Sequence, residues 1–176
     1  MITTTYTQRN YLSFDTKKNL PLLWHSFGLQ DYIPIWQAMQ HFTRNRKHFT
    51  PDELWTLEHT PVYTLGQSGQ RKHILNAVTI PVLQTDRGGQ VTYHGPGQII
   101  AYILYDLRRA GIGVKTLVNR LEQAVIDLLE NEGIIATRKT KAPGVYVADS
   151  KIASLGLRVR HGFSFHGLSL NCDMDL

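Results

Sequence analysis

The sequence predicts a mixed α+β domain, in which helices pack on a central mixed β-sheet. Residues 54–105 form short apolar runs separated by glycine and proline, which is typical of strands joined by tight loops. Two longer segments instead repeat apolar residues at spacings of three and four, as amphipathic helices do. Strands and helices do not alternate regularly, so a doubly wound parallel sheet is not indicated. With 42% hydrophobic residues among 176, the chain can bury the core of one domain.

The domain is expected to span residues 21–176, after a polar and weakly ordered lead-in over residues 1–20. Its first strand is predicted at 22–27, and Asp31 is the predicted N-cap of the helix that follows. The apolar positions of this helix share one face: Tyr32, Ile35, Trp36, Met39 and Phe42. We expect this face to pack in the core rather than to bind a cofactor.

Eight further strands and one long helix are predicted downstream. The strands are predicted at 54–58, 62–65, 81–85, 91–94, 98–105, 145–147, 152–159 and 163–171. The strand at 98–105 is apolar on both faces, which predicts a central strand covered on each side. The clearest amphipathic helix begins at Val114, continues to Leu129, and has Gly133 as its C-terminal cap residue.

Composition and charge exclude several classes of protein. The net charge of +5 comes from 19 basic and 14 acidic residues, and we interpret it mainly as a solubility contribution or as steering toward an acidic protein. Nucleic acid is a minor hypothesis, because the short basic runs are not interleaved with aromatic residues. A single cysteine, Cys172, excludes an internal disulfide and cysteine-clustered metal sites. Neither a membrane span nor a signal peptide is indicated, so the expected location is the cytoplasm.

The segment most suggestive of chemistry is TDRGGQVTYHGPGQ at residues 85–98, with four glycines in fourteen residues. Glycines leave main-chain N–H groups open, so Arg87 to Gln90 can cradle an anion or an acyl carbonyl. Thr92 and His94 share one face of the strand that follows. The alternative, two ordinary hairpin turns, is about equally compatible with these residues alone. The segment is neither a P-loop nor a dinucleotide fingerprint.

Three single residues need separate interpretation. His59, at a strand edge, is more simply explained as a structural histidine than as a catalyst. Strict alternation places Lys151 beside Ala153 and other apolar residues, which would desolvate its ammonium and favour a proton-accepting form, although a solvated hairpin lysine is the commoner case. Cys172 and His166 lie about 20 Å apart if one strand carries both, beyond hydrogen-bond reach. We therefore predict a small buried core thiol at Cys172.

Taken in order, five motifs make residues 21–176 resemble the octanoyltransferases of lipoate biosynthesis, octanoyl-[acyl-carrier-protein]:protein N-octanoyltransferases. The motifs are EHTPVYTLGQ at 58–67, RGGQVTYHGPGQ at 87–98, APGVYV at 142–147, KIASLGLR at 151–158 and FHGLSLN at 165–171. The resemblance implies the fold of the catalytic domain of lipoate and biotin protein ligases. The acyl pocket it implies is lined by Arg87, Gly88, Gly89, Gln90, Val91, Thr92, Tyr93, His94, Ser154, Leu155, Gly156, Gly167, Leu168 and Ser169.

The same resemblance implies a mechanism and partners. Lys151 would be the catalytic lysine of a Cys/Lys dyad. The octanoyl group would pass from octanoyl-acyl carrier protein, through a cysteine thioester, to the lysine of lipoyl domains of 2-oxoacid dehydrogenases and of the glycine cleavage H protein. This route needs no cofactor, ATP or metal, and it implies neither nucleic acid nor membrane as a partner.

One departure from the family pattern concerns the nucleophile. The family's cysteine lies in an Asn-Pro-Cys-Gly stretch shortly after the Met-Asp-Leu at which this chain stops. We do not assign that role to Cys172, and we expect the chain to be truncated and catalytically incomplete. Two alternatives stay open: an ATP-dependent lipoate or biotin protein ligase, and a non-catalytic module that binds an acyl group or a carrier protein.

Overall fold

The computed structural model describes residues 10–12, 20–77 and 79–174, with residues 10–12 described by their backbone alone. The predicted lead-in at 1–20 therefore lies outside the described residues except for residue 20 and the short strand β1, Asn10–Leu12. β1 pairs antiparallel with β2.

The described strands form one sheet of eight strands and one of three. Besides β1, the strands are β2 (Leu22–Gln30), β3 (Asp52–His59), β4 (Val62–Leu65), β5 (Val82–Gln84), β6 (Val91–His94), β7 (Gln98–Leu104), β8 (Thr137–Lys139), β9 (Ala142–Val147), β10 (Ser150–Arg160) and β11 (Phe163–Asn171). The larger sheet has the order β1-β2-β3-β7-β11-β10-β9-β8 and the smaller the order β5-β4-β6. In the larger sheet β2 and β3 are parallel and the other pairs antiparallel, so the predicted mixed α+β class is confirmed.

Helices cover both faces of the larger sheet. They are α1 (Tyr32–Asn45), α2 (Leu107–Ala110) and α3 (Val114–Asn131), with a 3-10 turn at Arg71–His73. α1 packs on the face that carries Trp55 and Ile100, whereas α3 packs on the opposite face, against Val145 and Leu170. None of the described helices is long and apolar enough to cross a membrane.

Most predicted elements agree with the structure. Asp31 occupies the N-cap position of α1, although its carboxylate accepts the hydroxyl of Thr60 and makes no cap bond. The predicted face of α1 does pack in the core, where Met39 is fully buried. The prediction that 98–105 is covered on both sides is wrong: β7 is central, but Ile99 is 44% exposed because the helices leave that part of the second face open.

Candidate active site

A pocket lies where α1 and the smaller sheet meet the larger one. Nine of the fourteen residues predicted to bind the acyl group line it: Arg87, Thr92, His94, Ser154, Leu155, Gly156, Gly167, Leu168 and Ser169. Four further lining residues were not predicted: Tyr32, Ile100, Tyr102 and His166. Three of the five motifs, those at 87–98, 151–158 and 165–171, therefore converge on one cavity. The role of these residues in acyl binding stays a prediction.

The other five predicted residues do not line the pocket: Gly88, Gly89, Gln90, Val91 and Tyr93. They instead join the glycine-rich segment to its surroundings. The Gly88 N–H donates to the Leu157 carbonyl at 3.0 Å, which ties this segment to β10. Val91 and Tyr93 belong to β6 and pair with β4. The glycine-rich segment is therefore more than two isolated turns, because it connects the two sheets beside the pocket.

The guanidinium of Arg87 is buried and bonded to oxygens of uncharged groups. Its Nε donates to the Thr64 hydroxyl at 2.9 Å, and its NH2 nitrogen donates to the Thr64 and Gln90 carbonyls at 2.6 and 2.8 Å. The other terminal nitrogen donates to the Gly88 carbonyl at 2.8 Å. Burial lowers the pKa of Arg87 from its usual value. The Arg87 side chain thus links the glycine-rich segment to β4 and to itself through hydrogen bonds.

A chain of hydrogen bonds continues from Arg87 across the site. Because Thr64 accepts from Arg87, its hydroxyl proton is available to His94 Nε2 at 3.3 Å. His94 Nδ1 lies 2.6 Å from Gln98 Oε1, and the Gln98 amide donates to Asn171 Oδ1 at 2.8 Å. Burial lowers the pKa of His94 to about 3, more than the bond to Gln98 raises it. His94 is therefore neutral at pH 7, with its Nδ1 proton directed at Gln98.

His59 is fully buried beside this network. Its Nδ1 lies 2.9 Å from the Gln30 carbonyl and its Nε2 lies 2.7 Å from the Tyr102 hydroxyl. Because a carbonyl only accepts, Nδ1 carries the proton and the Tyr102 hydroxyl donates to Nε2. Burial lowers the pKa of His59 to about 4, and burial raises that of Tyr102 well above its usual value. These contacts agree with the structural interpretation of His59.

His166 and Asp86 form a hydrogen-bonded pair at the pocket, in which the imidazole is buried and the carboxylate is half-buried. His166 Nε2 donates to Asp86 Oδ1 at 2.8 Å, and the same carboxylate accepts from Trp36 and Gln40 on α1. Burial alone would raise the pKa of Asp86, but these hydrogen bonds outweigh it and lower the pKa to about 2. Burial lowers the pKa of His166. Its Nδ1 is buried and has no hydrogen-bond partner among the residues described.

Lys151 lies on the other face of the sheet from the one predicted. β10 contains a bulge: Lys151 pairs with Tyr146 but Ala153 pairs with Val145, so Ile152 is an extra residue. Because successive residues of β9 face opposite sides, Lys151 and Ala153 do too. Ala153 packs against α3, so Lys151 shares the face of Ser154, which lines the pocket. The predicted desolvation is also wrong, because the Lys151 side chain is exposed.

The motif at 142–147 positions this lysine. Lys151 Nζ donates to the Pro143 carbonyl at 2.9 Å and lies 5.3 Å from the centre of the Tyr146 ring. A Cβ at Gly144 would come within 3.0 Å of Lys151 Cε, so glycine leaves room for the side chain. The Gly144 N–H donates to Glu122 Oε1 on α3 at 2.9 Å. α3 therefore holds the part of β9 whose carbonyl accepts a hydrogen bond from the Lys151 ammonium.

The prediction of a buried thiol at Cys172 is wrong. β11 ends at Asn171, and Cys172 is exposed. Its N–H and that of Asp173 both donate to the Gly97 carbonyl, at 3.0 and 2.9 Å. A Cβ at Gly97 would overlap the Asp173 carbonyl, so this close approach requires glycine. The backbone after β11 therefore turns away from the core and lies against the loop before β7.

The lining residues that were not predicted carried weak sequence signals. Ile100 and Tyr102 are two positions apart in β7, so the alternation of side chains along a strand places both on the same face. Tyr32 belongs to the predicted core face of α1, and His166 lies in the motif at 165–171, for which the sequence predicts no role of this histidine. Within the described residues, no group of three or more histidine, cysteine, aspartate or glutamate side chains is arranged to hold a metal ion.

Residues 31–176 match the family described as lipoyl protein ligase A/B catalytic domain. The chain is 59% identical over 149 residues to an octanoyltransferase of Shewanella amazonensis, an alignment covering 85% of this chain and 69% of that protein. It is 59% identical over 155 residues to an octanoyltransferase of Thiobacillus denitrificans, covering 88% of this chain and 71% of that protein.

Solved structures show the same fold at low sequence identity. A lipoate-protein ligase A bound with ATP superposes with a TM-score of 0.62 at 14% identity, over 88% of this chain and 67% of that one. A bipartite lipoate protein ligase of Thermoplasma acidophilum superposes with a TM-score of 0.65 at 15% identity, over 85% of this chain and 62% of that one. These likenesses support the fold alone. The sequence relatives and the family match together show that the chain belongs to the octanoyltransferases, within the lipoyl protein ligase A/B catalytic domain family.

Proposed function

We propose that this protein carries the acyl-binding and proton-transfer parts of an octanoyl transfer from acyl carrier protein to the lysine of a lipoyl domain. One observation carries the proposal: the bulge in β10 puts Lys151 on the same sheet face as Ser154 and Gly156, which line the pocket farther along the strand. A lysine beside a cavity lined by three motifs suits a reaction at an acyl carbonyl whose alkyl tail lies inside.

The proposed reaction has two steps. A cysteine thiolate attacks the thioester carbonyl of the octanoyl carrier protein, forming an enzyme thioester and releasing the carrier thiolate, which takes up the proton that the cysteine lost. The neutral amine of the target lysine then attacks the enzyme thioester and forms the amide, and the proton that the amine loses passes to the departing cysteine thiolate. The family pattern places that cysteine in an Asn-Pro-Cys-Gly stretch that is not among these 176 residues, and Cys172 is not proposed for the role.

Lys151 is the proposed proton carrier. Its ammonium is held by one carbonyl and is otherwise exposed, so it can approach a thiol at the open end of the pocket. A nearby cation favours the thiolate over the thiol, which is the nucleophilic form. When the lysine amine attacks, the same group can move the proton that is released. Neither ATP nor a metal is needed, because a thioester is already an activated acyl donor.

The proposed partners are octanoyl-acyl carrier protein and lipoyl domains, including those of 2-oxoacid dehydrogenases and the glycine cleavage H protein, and the proposed location is the cytoplasm. The net charge of +5 can steer acidic protein partners to this chain.

Ligand binding tests the proposal on the chain as it is. We expect octanoyl-pantetheine to raise the melting temperature, because a ligand that binds only the native state stabilises it by mass action. We expect ATP to have no such effect, which distinguishes a transferase from an ATP-dependent ligase. No stabilisation by the acyl ligand, or a larger effect of ATP, would contradict the proposal.

A further inference from the structure

One strand, β10, carries three functional zones in order. Lys151 lies at its beginning, Ser154 and Gly156 line the acyl pocket, and Arg158 and Arg160 line a second cleft beyond it. At about 3.3 Å per residue, Lys151 and Gly156 are roughly 16 Å apart along the strand. If the reacting carbonyl lies near Lys151, the alkyl tail therefore points toward the second cleft.

A hydrogen-bonded pair of side chains lies between the two cavities. His166 lines the acyl pocket, Asp86 lines the second cleft, and 2.8 Å separates His166 Nε2 from Asp86 Oδ1. Arg44 also lines the second cleft. A chain that passed this pair would leave the acyl pocket and enter a basic, polar cleft.

Several contacts fix this pair in place. Asp86 Oδ1 accepts from Trp36 Nε1 at 2.7 Å, and Oδ2 accepts from Gln40 Nε2 at 3.3 Å, so α1 holds the carboxylate from two positions. His166 is only 1% exposed, and its ring stacks on Phe165 with a centroid distance of 5.0 Å. A ligand cannot displace the buried imidazole without breaking its hydrogen bond to the half-buried carboxylate.

The backbone at His166 is also unusual. Its φ is 58°, in the left-handed region that residues with a side chain seldom occupy. The other described non-glycine residues with positive φ, Lys141, Ala148 and His161, all lie in turns, whereas His166 lies inside β11. Strain of this kind persists where the surrounding structure enforces it, and it is concentrated at functional sites.

We propose that the Asp86–His166 pair is the end wall of the acyl pocket and sets the longest acyl chain that the protein accepts. This inference rests on the acyl-binding function proposed above. His166 is the specificity-determining residue, and Asp86 is a positioning residue that acts through it. The chemistry expected of the ligand is a straight alkyl chain whose methyl end meets the imidazole.

The test is the affinity of this chain for octanoyl-, decanoyl-, dodecanoyl- and hexadecanoyl-pantetheine, measured by calorimetry. Each methylene buried raises affinity about fourfold until the tail reaches the wall. Beyond that length we expect wild-type affinity to fall by at least about tenfold. In His166→Gly the affinity should keep rising for two or more further carbons, because the wall is open and glycine suits the left-handed backbone.

His161→Gly is the matched control. His161 also has a positive φ, of 50°, but it is exposed in the turn between β10 and β11. This variant should keep the wild-type length profile. Asp86→Ala is the second opening variant, which removes the acceptor that holds the ring and should extend the profile in the same direction.

The outcomes separate the two proposals. If wild type binds no acyl ligand, the proposed function fails. If wild type binds octanoyl-pantetheine but neither His166→Gly nor Asp86→Ala changes the dependence of affinity on chain length, the proposed end wall is wrong and the proposed acyl binding stands. If neither variant folds, wild type alone decides, because hexadecanoyl-pantetheine binding as tightly as octanoyl-pantetheine contradicts a closed end.

Discussion

Arg87 and Lys151 are the two cations of the proposed site, and the protein surrounds them in opposite ways. The Arg87 guanidinium is buried and donates four hydrogen bonds to a hydroxyl and three carbonyls. Lys151 is exposed and donates one, to the Pro143 carbonyl. A buried cation whose donors are occupied by backbone is a structural support, whereas an exposed amine with spare donors can still meet a substrate.

The comparison separates the frame of the pocket from its reacting end. Substitutions at or near Arg87 should lower stability first and should affect activity only by changing the shape of the pocket. Lys151 should affect activity and leave stability almost unchanged. Four predictions test this separation, from the largest expected effect to the smallest.

The largest effect is expected for Lys151→Ala, in a chain extended after residue 176 by the family's Asn-Pro-Cys-Gly stretch. Octanoyl transfer to a lipoyl domain should fall by about 10³-fold, because proton transfer and thiol activation are lost together. The melting temperature should stay within about one degree, because an exposed side chain is removed. The product amide is measured by mass spectrometry.

Lys139→Ala is the control for this experiment. Lys139 also lies over the Tyr146 ring, with Nζ 4.7 Å from the centroid, and pairs with Asp149 at 2.9 Å. Its loss should leave transfer near the wild-type rate. Equal losses in the two variants would show that any cation at Tyr146 suffices and would remove the special role of Lys151.

Arg87→Gln should be the most destabilising of these changes. It removes the donor to the carbonyls of Thr64 and Gly88, whereas the Gln90 carbonyl keeps its bond from the Gly66 N–H, and each buried unsatisfied acceptor costs about 1–3 kcal/mol. We expect the free energy of unfolding, from urea titration, to fall by about 3–5 kcal/mol. Arg71→Gln, at an exposed arginine, should change it by less than about 0.5 kcal/mol. An Arg87→Gln variant with the unfolding free energy of wild type would show that Arg87 is not a structural support, which would contradict the distinction between the frame of the pocket and its reacting end.

Gly167→Ala tests whether close backbone packing at the pocket contributes to the stability of the fold. A Cβ at this position would overlap the Ala101 carbonyl of the neighbouring strand, so β11 must shift. We expect a loss of about 2–4 kcal/mol in unfolding free energy, the upper range for overpacking. Gly113→Ala, with nothing within 4 Å of the added Cβ, should lose less than about 1 kcal/mol. Equal effects would mean that backbone entropy, not steric overlap, governs Gly167.

The pH dependence of stability tests the buried histidines. The folded-state pKa values of about 4 for His59 and about 3 for His94 lie below the ordinary value of 6.5. The unfolded chain therefore binds protons that the folded chain does not, and stability present above pH 6.5 is lost as pH falls toward these values. Each histidine contributes at most about 1.4 kcal/mol per pH unit.

Urea titrations between pH 7.5 and 4.5 measure this slope. His59→Gln should have a shallower slope by about one proton, since glutamine does not titrate. Asp86 contributes at lower pH, because its pKa of about 2 lies below its ordinary 3.8 and the stability it adds is lost only as pH falls through that window. An unchanged slope in His59→Gln would show that His59 is protonated when folded.

The sequence predicted much of the fold because most of its strands have clear boundaries. Glycine and proline bracket β4 and β6, and the predicted bounds of 62–65, 91–94 and 163–171 agree with the structure. Short elements such as β8 and α2 were not predicted, because three or four residues are too few for a periodic pattern.

The site was predicted less completely, for physical reasons that differ between residues. Lys151 was placed on the wrong face because alternation holds only where no extra residue interrupts the pairing. Cys172 was assigned to the core because β11 was extended by one residue. The Asp86–His166 contact joins residues 80 positions apart, and no local pattern predicts such a distance.

The bulge at Ile152 also decides which face of the sheet the ammonium of Lys151 reaches. If Ile152 paired in a regular ladder, Lys151 would share the face of Ala153, and its ammonium would turn toward the apolar packing beneath α3. Deleting Ile152 has no such effect, because Lys151 would then directly precede Ala153, and successive strand residues face opposite sides. In a deletion scan, loss of this one aliphatic residue should therefore preserve octanoyl transfer far better than loss of the lysine, and replacing it by valine should be tolerated.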